Sequence, residues 1–296
     1  MISVIICSVN PLLLEKVRKN IEETIGVPYE IISIDNSQNK YGICKAYNEA
    51  GAKARFPILC FMHEDISFET TNWGEKVCTH LKDKQTGLLG VAGGDSKALV
   101  PSSWSVPVIS NEINLVQHYK SALLPVKRIV ETNKEINGNT KRVIALDGVW
   151  LCTRKDVFEQ FKFDDKTFTG FHGYDIDYSL QVNTKFTVRV VFDVVLHHFS
   201  EGNPDARWIN SAILVSKKWK KQLPVSVYDL SKEQYRFHYW HSLRVYLQHL
   251  FRLNYNYFTI IATLLHYSFN RRYFSFRRFL SMSKYVAIGI YKGYEN

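Results

Sequence analysis

No uninterrupted apolar run in this sequence approaches the roughly 20 residues that a membrane-spanning helix needs. The opening MISVIICSVN has no basic segment ahead of its apolar stretch and meets Asn10-Pro11 early. That is the pattern expected of a buried strand rather than a signal peptide. Cysteine is sparse: Cys7, Cys44, Cys60, Cys78 and Cys152 are scattered, odd in number and without Cys-x-x-Cys spacing. This argues against a disulfide framework and a zinc site, and a reducing cytosol fits better. No Gly-x-Gly-x-x-Gly follows the first apolar run, which argues against dinucleotide binding. The glycine-rich N-terminal phosphate loop of nucleotidyltransferases is also missing after Cys7. Internal repeats and low-complexity tracts are absent.

What is present is a globular composition. The chain has 296 residues, of which 46% are hydrophobic and 22% charged, enough for a real core in one large or two modest domains. Its net charge of +10 is unevenly placed. Leu230 to Asn296 carries ten Lys/Arg against two Glu, whereas the first 229 residues carry 28 basic against 26 acidic groups. The same tail holds 18 of the 41 aromatics. A near-neutral body therefore precedes a basic, aromatic tail, and such charge speaks to partners rather than to fold.

Ile2 to Cys7 is a continuous, largely β-branched run, as in a strand covered on both faces. Pro11 to Thr24 has apolar residues at helical spacing. Tyr29 to Ile34 reads as a second strand, Ile43 to Ala54 as a second helix and Phe56 to Met62 as a third strand. This alternation implies right-handed crossovers and a parallel sheet, whose ligands gather at the strands' carboxyl ends. A helix is expected over Trp73 to Leu81, a strand over Leu88 to Ala92 and a loop from Gly93 to Pro107. Residues 108–142 are mixed and polar. Further strands are expected around Val143 to Cys152 and over Thr187 to Leu196. Helices are expected over Arg154 to Phe161 and within Gly170 to Asn183.

Acidic or imidazole clusters fall at the expected strand ends and helix starts: Asp35, His63-Glu64-Asp65, Asp175 with Asp177, and His197-His198. Taken singly, each has a bland reading. Asp35 could cap a turn, Asp175 could complement a helix dipole, and the histidines could be packing groups.

Together with SVIICSVN, IDNS, the Ala-Tyr-Asn-Glu-Ala helix before FMHED, LDGVW, GYDIDYSL and LHHFSEG, they give a specific picture. The sequence resembles a family 2 glycosyltransferase of GT-A fold, in the bacterial branch grouped with streptomycin-cluster transferases, over roughly residues 1–220. The resemblance implies an α/β, three-layer α/β/α architecture with a mostly parallel central sheet. Its expected division is a catalytic domain over 1–225 and a helical tail over 226–296. It implies an inverting, metal-dependent transfer of sugar from a nucleotide-diphosphate sugar to a hydroxyl, in surface polysaccharide biosynthesis. The acceptor would be a glycan or a lipid-linked precursor.

The resemblance also implies roles. Breaking the anomeric bond moves negative charge onto the diphosphate, which Mn²⁺ or Mg²⁺ can offset. His63-Glu64-Asp65 aligns with the family's Asp-x-Asp, so Asp65 is the first expected metal ligand. His63 departs from that pattern and could touch metal, ribose or neither. His198 is the second expected ligand and His197 its alternative. Asp175 is the expected general base and Asp177 the runner-up, which could instead brace the helix start. Ser8, Asn10, Asp35, Asn36, His63, Glu64, Asp147 and Gly148 are expected to line the nucleotide-sugar pocket. Trp104 and Trp150 are candidate sugar platforms or core residues. The departure at His63 keeps a second class open, a catalytically silent GT-A domain acting as an assembly partner in a glycan operon.

Residues 233–253 are helix-compatible, with Tyr239, Leu243, Tyr246, Leu247 and Leu250 able to share one face. Tyr255 to Phe269 is apolar but short for a span. Arg271-Arg272 and Arg277-Arg278 flank Tyr273-Phe274-Ser275-Phe276. This mixture suits an in-plane helix on anionic lipid, or packing on the body or on a second subunit. A cytoplasmic protein, peripheral on the inner face of the cell membrane or forming a homo-oligomer, is expected. Nucleic acid is not expected as a partner.

Overall fold

A computed structural model describes residues 1–119, 124–132, 139–202 and 204–292. The reading of 108–142 and that of the tail's end touch residues 120–123, 133–138 and 293–296, which lie outside the described residues.

The first half alternates as the sequence suggests: β1 (Ile2–Ser8), α1 (Pro11–Thr24), β2 (Tyr29–Asp35), α2 (Ile43–Lys53) and β3 (Ile58–Met62). After β4 (Ile66–Phe68) and α3 (Trp73–His80) comes β5 (Thr86–Gly90). β6 (Ala92–Gly94), β7 (Ser96–Lys97), β8 (Asn111–Gln117) and β9 (Lys127–Glu131) follow, then β10 (Thr140–Val143), β11 (Ala145–Leu146) and β12 (Trp150–Arg154). Next are α4 (Lys155–Gln160), α5 (Tyr174–Asn183), β13 (Thr187–Val191), β14 (Leu196–His198), α6 (Ala206–Lys218) and β15 (Val225–Ser226). The tail forms α7 (Lys232–Arg252), α8 (Tyr257–Ser268) and α9 (Phe276–Lys292).

The central sheet has the order β10-β13-β5-β12-β3-β1-β2. β2, β1, β3, β5 and β13 share one direction, while β12 and β10 oppose it. The pleat explains the continuous apolar runs. Val4 and Ile6 face one side with Val17 and Ile21 of α1 and Trp73 of α3. Ile5, Leu59 and Phe61 face the other side with α2, α4 and α5. Both faces are covered at the centre of the sheet, so alternation disappears in β1 and β3. Full burial of one such side chain contributes about 1.5–3 kcal/mol. Asn10 caps α1 by accepting from the Leu12 and Leu13 amides, and Pro11 enters at the first helical position.

Five features differ from the sequence reading. The expected strand Leu88–Ala92 is interrupted at Val91 between β5 and β6, and the expected loop Gly93–Pro107 contains the end of β6 and all of β7. The expected strand Thr187–Leu196 breaks after Val191, and its end becomes β14 in a second sheet, β11-β6-β8-β14-β4, with β9 paired to β8. The expected strand at 143–152 is three short pieces around a turn at Asp147-Gly148. Cys60 and Cys152 lie opposite each other in the antiparallel β3–β12 pair and form a disulfide, short of a framework but not foreseen.

In the tail, α7 buries Tyr239, Leu243, Tyr246, Leu247 and Leu250 in a third cluster that reaches the body through Val100 and Ile209. The His238 imidazole also lies 2.8 Å from the Val106 carbonyl. No helix among the described residues is long and apolar enough to cross a membrane.

Candidate active site

The second sheet is what assembles the site. β3 ends at Met62, and His63, Glu64 and Asp65 lead into β4. β14 runs antiparallel to β4 with His198 opposite Ile66, and the Phe199 amide donates to the Asp65 carbonyl at 2.9 Å. On its other side β14 runs parallel to β8, with His198 beside Gln117. This register brings His198 to Asp65 across a gap of more than a hundred residues. Ligand-capable atoms of His63, Asp65 and His198 all lie within 4.8 Å of one another.

His63 Nδ1 stands 3.8 Å from Asp65 Oδ1, and both side chains are about one-fifth exposed. Burial holds the His63 imidazole below its ordinary pKa, against the pull of the Asp65 charge. The ring is therefore neutral near pH 7, with one protonated nitrogen and one lone pair. Among the described residues no Lys or Arg pairs with Asp65. Two imidazoles and a free carboxylate turned toward one point are the donor set of a divalent cation site, so these residues fit a metal.

The helix start of α5 closes one side. Gly173 precedes it with φ of +82°, a left-handed conformation that suits glycine. The next residue, Tyr174, is buried, and its hydroxyl donates to the Gly148 carbonyl at 3.0 Å and meets His63 Nε2 at 2.9 Å. Gly148 lacks a side chain for a steric reason: a Cβ there would strike the Tyr174 hydroxyl. Asp175 follows directly. Burial, reinforced by the nearby Asp147 charge, pushes its carboxyl up to about 7, although amides at Ile176, Asp175 and Gly148 pull the other way. A carboxyl poised there can accept a proton near neutral pH. Asp147 accepts from the Trp104 indole at 2.7 Å and from the Val149 amide at 2.8 Å. Phe171, 54% exposed, sets its ring 5.4 Å from that of His63.

Several expected site residues do other work. Asp177 is buried and accepts from the Trp219 indole and Gln181, each at 2.8 Å, while Lys218 pairs with it. It braces α5 against α6. His197 alternates to the other face of β14, where Nδ1 lies 2.8 Å from His118 Nε2 and Nε2 lies 3.3 Å from Glu69. It is outside the cluster. Glu64 points away from the cleft and accepts from Ser8 Oγ and the Val9 and Asn10 amides. That use commits both Glu64 and Ser8 to holding the β1–α1 turn. Asn36 is buried, its amide bonded both ways to the Tyr41 backbone. Asn10 is the cap of α1. Trp150 is fully buried, edge-on to Trp73, and cannot meet a sugar. Asp35 is exposed at the end of β2 and holds the Ser37 amide, with a carboxylate oxygen facing solvent. Gln117, Tyr174 and Phe171 were not singled out from the sequence. Gln117 sits in the mixed polar stretch 108–142, where no hydrophobic period marks the strand.

A model of the glycosyltransferase-like family matches residues 3–221. The chain belongs to that family. The fold of this glycosyltransferase is GT-A. The mannosyltransferase PcManGT from Pyrobaculum calidifontis, in complex with GDP-Man and Mn²⁺, superposes with TM-score 0.50 at 13% identity, over 98% of this chain and 81% of that chain. GalNAc-T7 with UDP, GalNAc and Mn²⁺ gives 0.48 at 12% identity, over 98% of this chain and 58% of that one. S. aureus TarS 1-349 gives 0.45 at 11% identity, over 99% of this chain and 92% of that one. This glycosyltransferase thus spans little more than half of the GalNAc-T7 chain. Comparison with curated protein sequences finds no match.

Proposed function

We propose that the chain is an inverting, metal-dependent glycosyltransferase that moves a sugar from a nucleotide-diphosphate sugar to a hydroxyl of a surface-glycan precursor. The same motifs motivate its assignment to the branch of streptomycin-cluster transferases. One observation carries the reading: ligand-capable atoms of His63, Asp65 and His198 lie within 4.8 Å of one another, and Tyr174, bonded to His63, is followed directly by Asp175, whose carboxyl is pushed up to about 7. His63, Asp65 and His198 would hold Mn²⁺ or Mg²⁺. When bound, such an ion supplies Lewis acidity toward a departing diphosphate.

The chain's own groups account for the rest. Asp175 takes the proton of the acceptor hydroxyl as that oxygen bonds to the anomeric carbon. The bond from that carbon to the diphosphate oxygen breaks on the opposite face, which inverts the configuration. Asp147, fixed by Trp104 and Val149, lies beside the base and keeps its proton affinity high. Asp35, at the tip of β2, and Asn10, the exposed cap of α1, suit contacts to the nucleoside. The silent-domain alternative drew on His63 in place of an acid. A neutral ring with Nδ1 facing Asp65 at 3.8 Å keeps the position able to ligate and weakens that motive.

The domain boundary near residue 225 and a membrane location belong to the same proposal. α8 carries no Lys, Arg, Asp or Glu and exposes Phe258, Ile261 and Leu265 along one face. From Tyr255 to Lys292 the chain has no acidic residue, while Arg271, Arg272 and Arg277 stand exposed beside Phe269 and Phe276. An apolar stripe edged by arginines is complementary to anionic lipid, where a lipid-linked acceptor would be found. Flotation of the full chain with phosphatidylglycerol vesicles tests it. Binding lost in Phe258→Asp supports the location. Salt-insensitive self-association through this face, without lipid binding, would assign it to a second copy of the chain instead.

The transfer itself is tested by thermal-shift and turnover assays against common nucleotide-diphosphate sugars with and without Mn²⁺. A Mn²⁺-dependent shift with one donor, and a product of inverted anomeric configuration, are expected. Silence toward every donor would refute the assignment.

A further inference from the structure

Each histidine of the cluster commits one ring nitrogen to a neighbour, and the neighbour decides which nitrogen keeps its proton. The Tyr174 hydroxyl lies 3.0 Å from the Gly148 carbonyl, which can only accept, so the phenol proton points there. The phenol oxygen then meets His63 Nε2 at 2.9 Å as an acceptor, which requires the imidazole proton on Nε2. His63 Nδ1, the nitrogen facing Asp65, is left with its lone pair.

For His198 the chain of reasoning runs through an amide. Gln117 Nε2 donates to the carbonyls of His118 and Ser200, each at 2.7 Å, which fixes the orientation of the side chain. Gln117 Oε1 therefore faces His198 Nδ1 at 3.2 Å and accepts its proton. His198 Nε2 is left with its lone pair, and its neighbour Ser200 Oγ at 3.2 Å is a hydroxyl free to rotate. Both partners arrive by architecture: Gln117 is the register neighbour of His198 on β8, and Tyr174 is the first residue of α5.

We propose that Tyr174 and Gln117 are positioning residues that lock His63 and His198 in opposite tautomers. His63 Nδ1 and His198 Nε2 then join Asp65 in a two-nitrogen, one-oxygen site that takes a first-row transition ion such as Mn²⁺ in preference to Mg²⁺. This rests on reading the cluster as the metal site. Imidazole nitrogen binds first-row transition ions, Mn²⁺ the weakest of them, better than it binds Mg²⁺, which takes oxygen ligands and keeps its waters. A partner that fixes a ligating imidazole is worth about 10–100-fold in metal affinity.

Calorimetry and pulsed EPR of Mn²⁺ on the full chain, without substrate, test it. Wild type is expected to show two directly bound imidazole nitrogens and to prefer Mn²⁺ over Mg²⁺ by about tenfold or more. Tyr174→Phe keeps the ring but removes the acceptor for His63, and should weaken Mn²⁺ binding about 10–100-fold. Gln117→Leu should weaken it similarly, whereas Gln117→Glu retains an acceptor for His198 and should bind Mn²⁺ more tightly than Gln117→Leu. His63→Asp should narrow the Mn²⁺ preference by replacing a nitrogen with an oxygen. Unchanged affinity and both nitrogen couplings in Tyr174→Phe and Gln117→Leu would overturn the positioning roles while leaving the metal site standing. A wild-type chain that binds neither ion would overturn the metal reading itself.

Discussion

Ser8 Oγ donates to Glu64 Oε2 at 2.5 Å, tying the tip of the first strand to the segment that follows the third. The other Glu64 oxygen accepts from the Val9 and Asn10 amides at 3.1 and 3.0 Å. The carboxylate is buried and serves as the anchor of the β1–α1 turn. Glu64→Ala leaves those donors without a partner, at a cost of about 1–3 kcal/mol or more. A lower melting temperature is expected, with a raised KM for the donor and a kcat changed much less. Equal loss of kcat and kcat/KM would instead place Glu64 in contact with the reacting atoms.

Asp175 makes activity and stability respond to pH in opposite senses. With its carboxyl pushed up to about 7, kcat/KM should rise with pH on a limb centred near that value. Asp175→Asn should lose that limb together with activity, by about 10²–10⁴-fold. For stability, the folded chain retains a proton that the unfolded chain releases near pH 4. The folded state thus binds more protons between the two values, and this group's contribution falls as pH rises through that window. Metal-free Asp175→Asn should therefore be more stable than wild type at pH 8, on the order of a few kcal/mol, and equal to it near pH 3.5. Thermal melts at the two pH values check this.

Substitution of Asp177 should have the opposite pattern, a loss of stability with activity kept. Its oxygens are occupied by Trp219, Gln181 and Lys218 inside the protein. Asp177→Ala leaves Lys218 paired only to Asp164 and strands the indole, and breaking such a pair costs about 3–5 kcal/mol. Chemical denaturation should report the loss, while kcat per folded molecule stays close to wild type. A folded but inactive variant would return Asp177 to the chemistry.

Phe171 presents an exposed ring beside His63. Aromatic faces of this kind pack on apolar sugar faces. Phe171→Ala should raise KM for the acceptor several-fold and leave donor binding unchanged in calorimetry.

Much of this was legible from residue pattern. Ile2–Ser8 and Ile58–Met62 are buried on both faces, so their apolar runs announce strands directly, while Tyr29–Asp35 is a half-buried edge strand. Asp65 and His198 stand at strand ends, and the pairing of β4 with β14 brings them together with His63, while Asp175 opens α5 directly after Tyr174. What could not be read is what depends on pairing. β8 reads Asn-Glu-Ile-Asn-Leu-Val-Gln with no clean period, and only its contact with β14 shows that Gln117 faces His198. Asp175 and Asp177 are alike in sequence. They are told apart by Lys218 and Trp219, about 40 positions downstream. His197 and His198 differ only in which face of a three-residue strand each occupies. The split of Thr187–Leu196 between two sheets has no marker in its apolar content.

The most direct test of the account is the coupling between cation and nucleotide. Binding of the cognate nucleoside diphosphate is measured by calorimetry with and without Mn²⁺, in wild type and in Asp65→Ala. The account predicts that Mn²⁺ tightens nucleotide binding by about tenfold or more in wild type, a coupling of 1.4 kcal/mol or greater, and has no effect in the variant. Nucleotide affinity that is the same with and without the ion in the wild-type chain would contradict it.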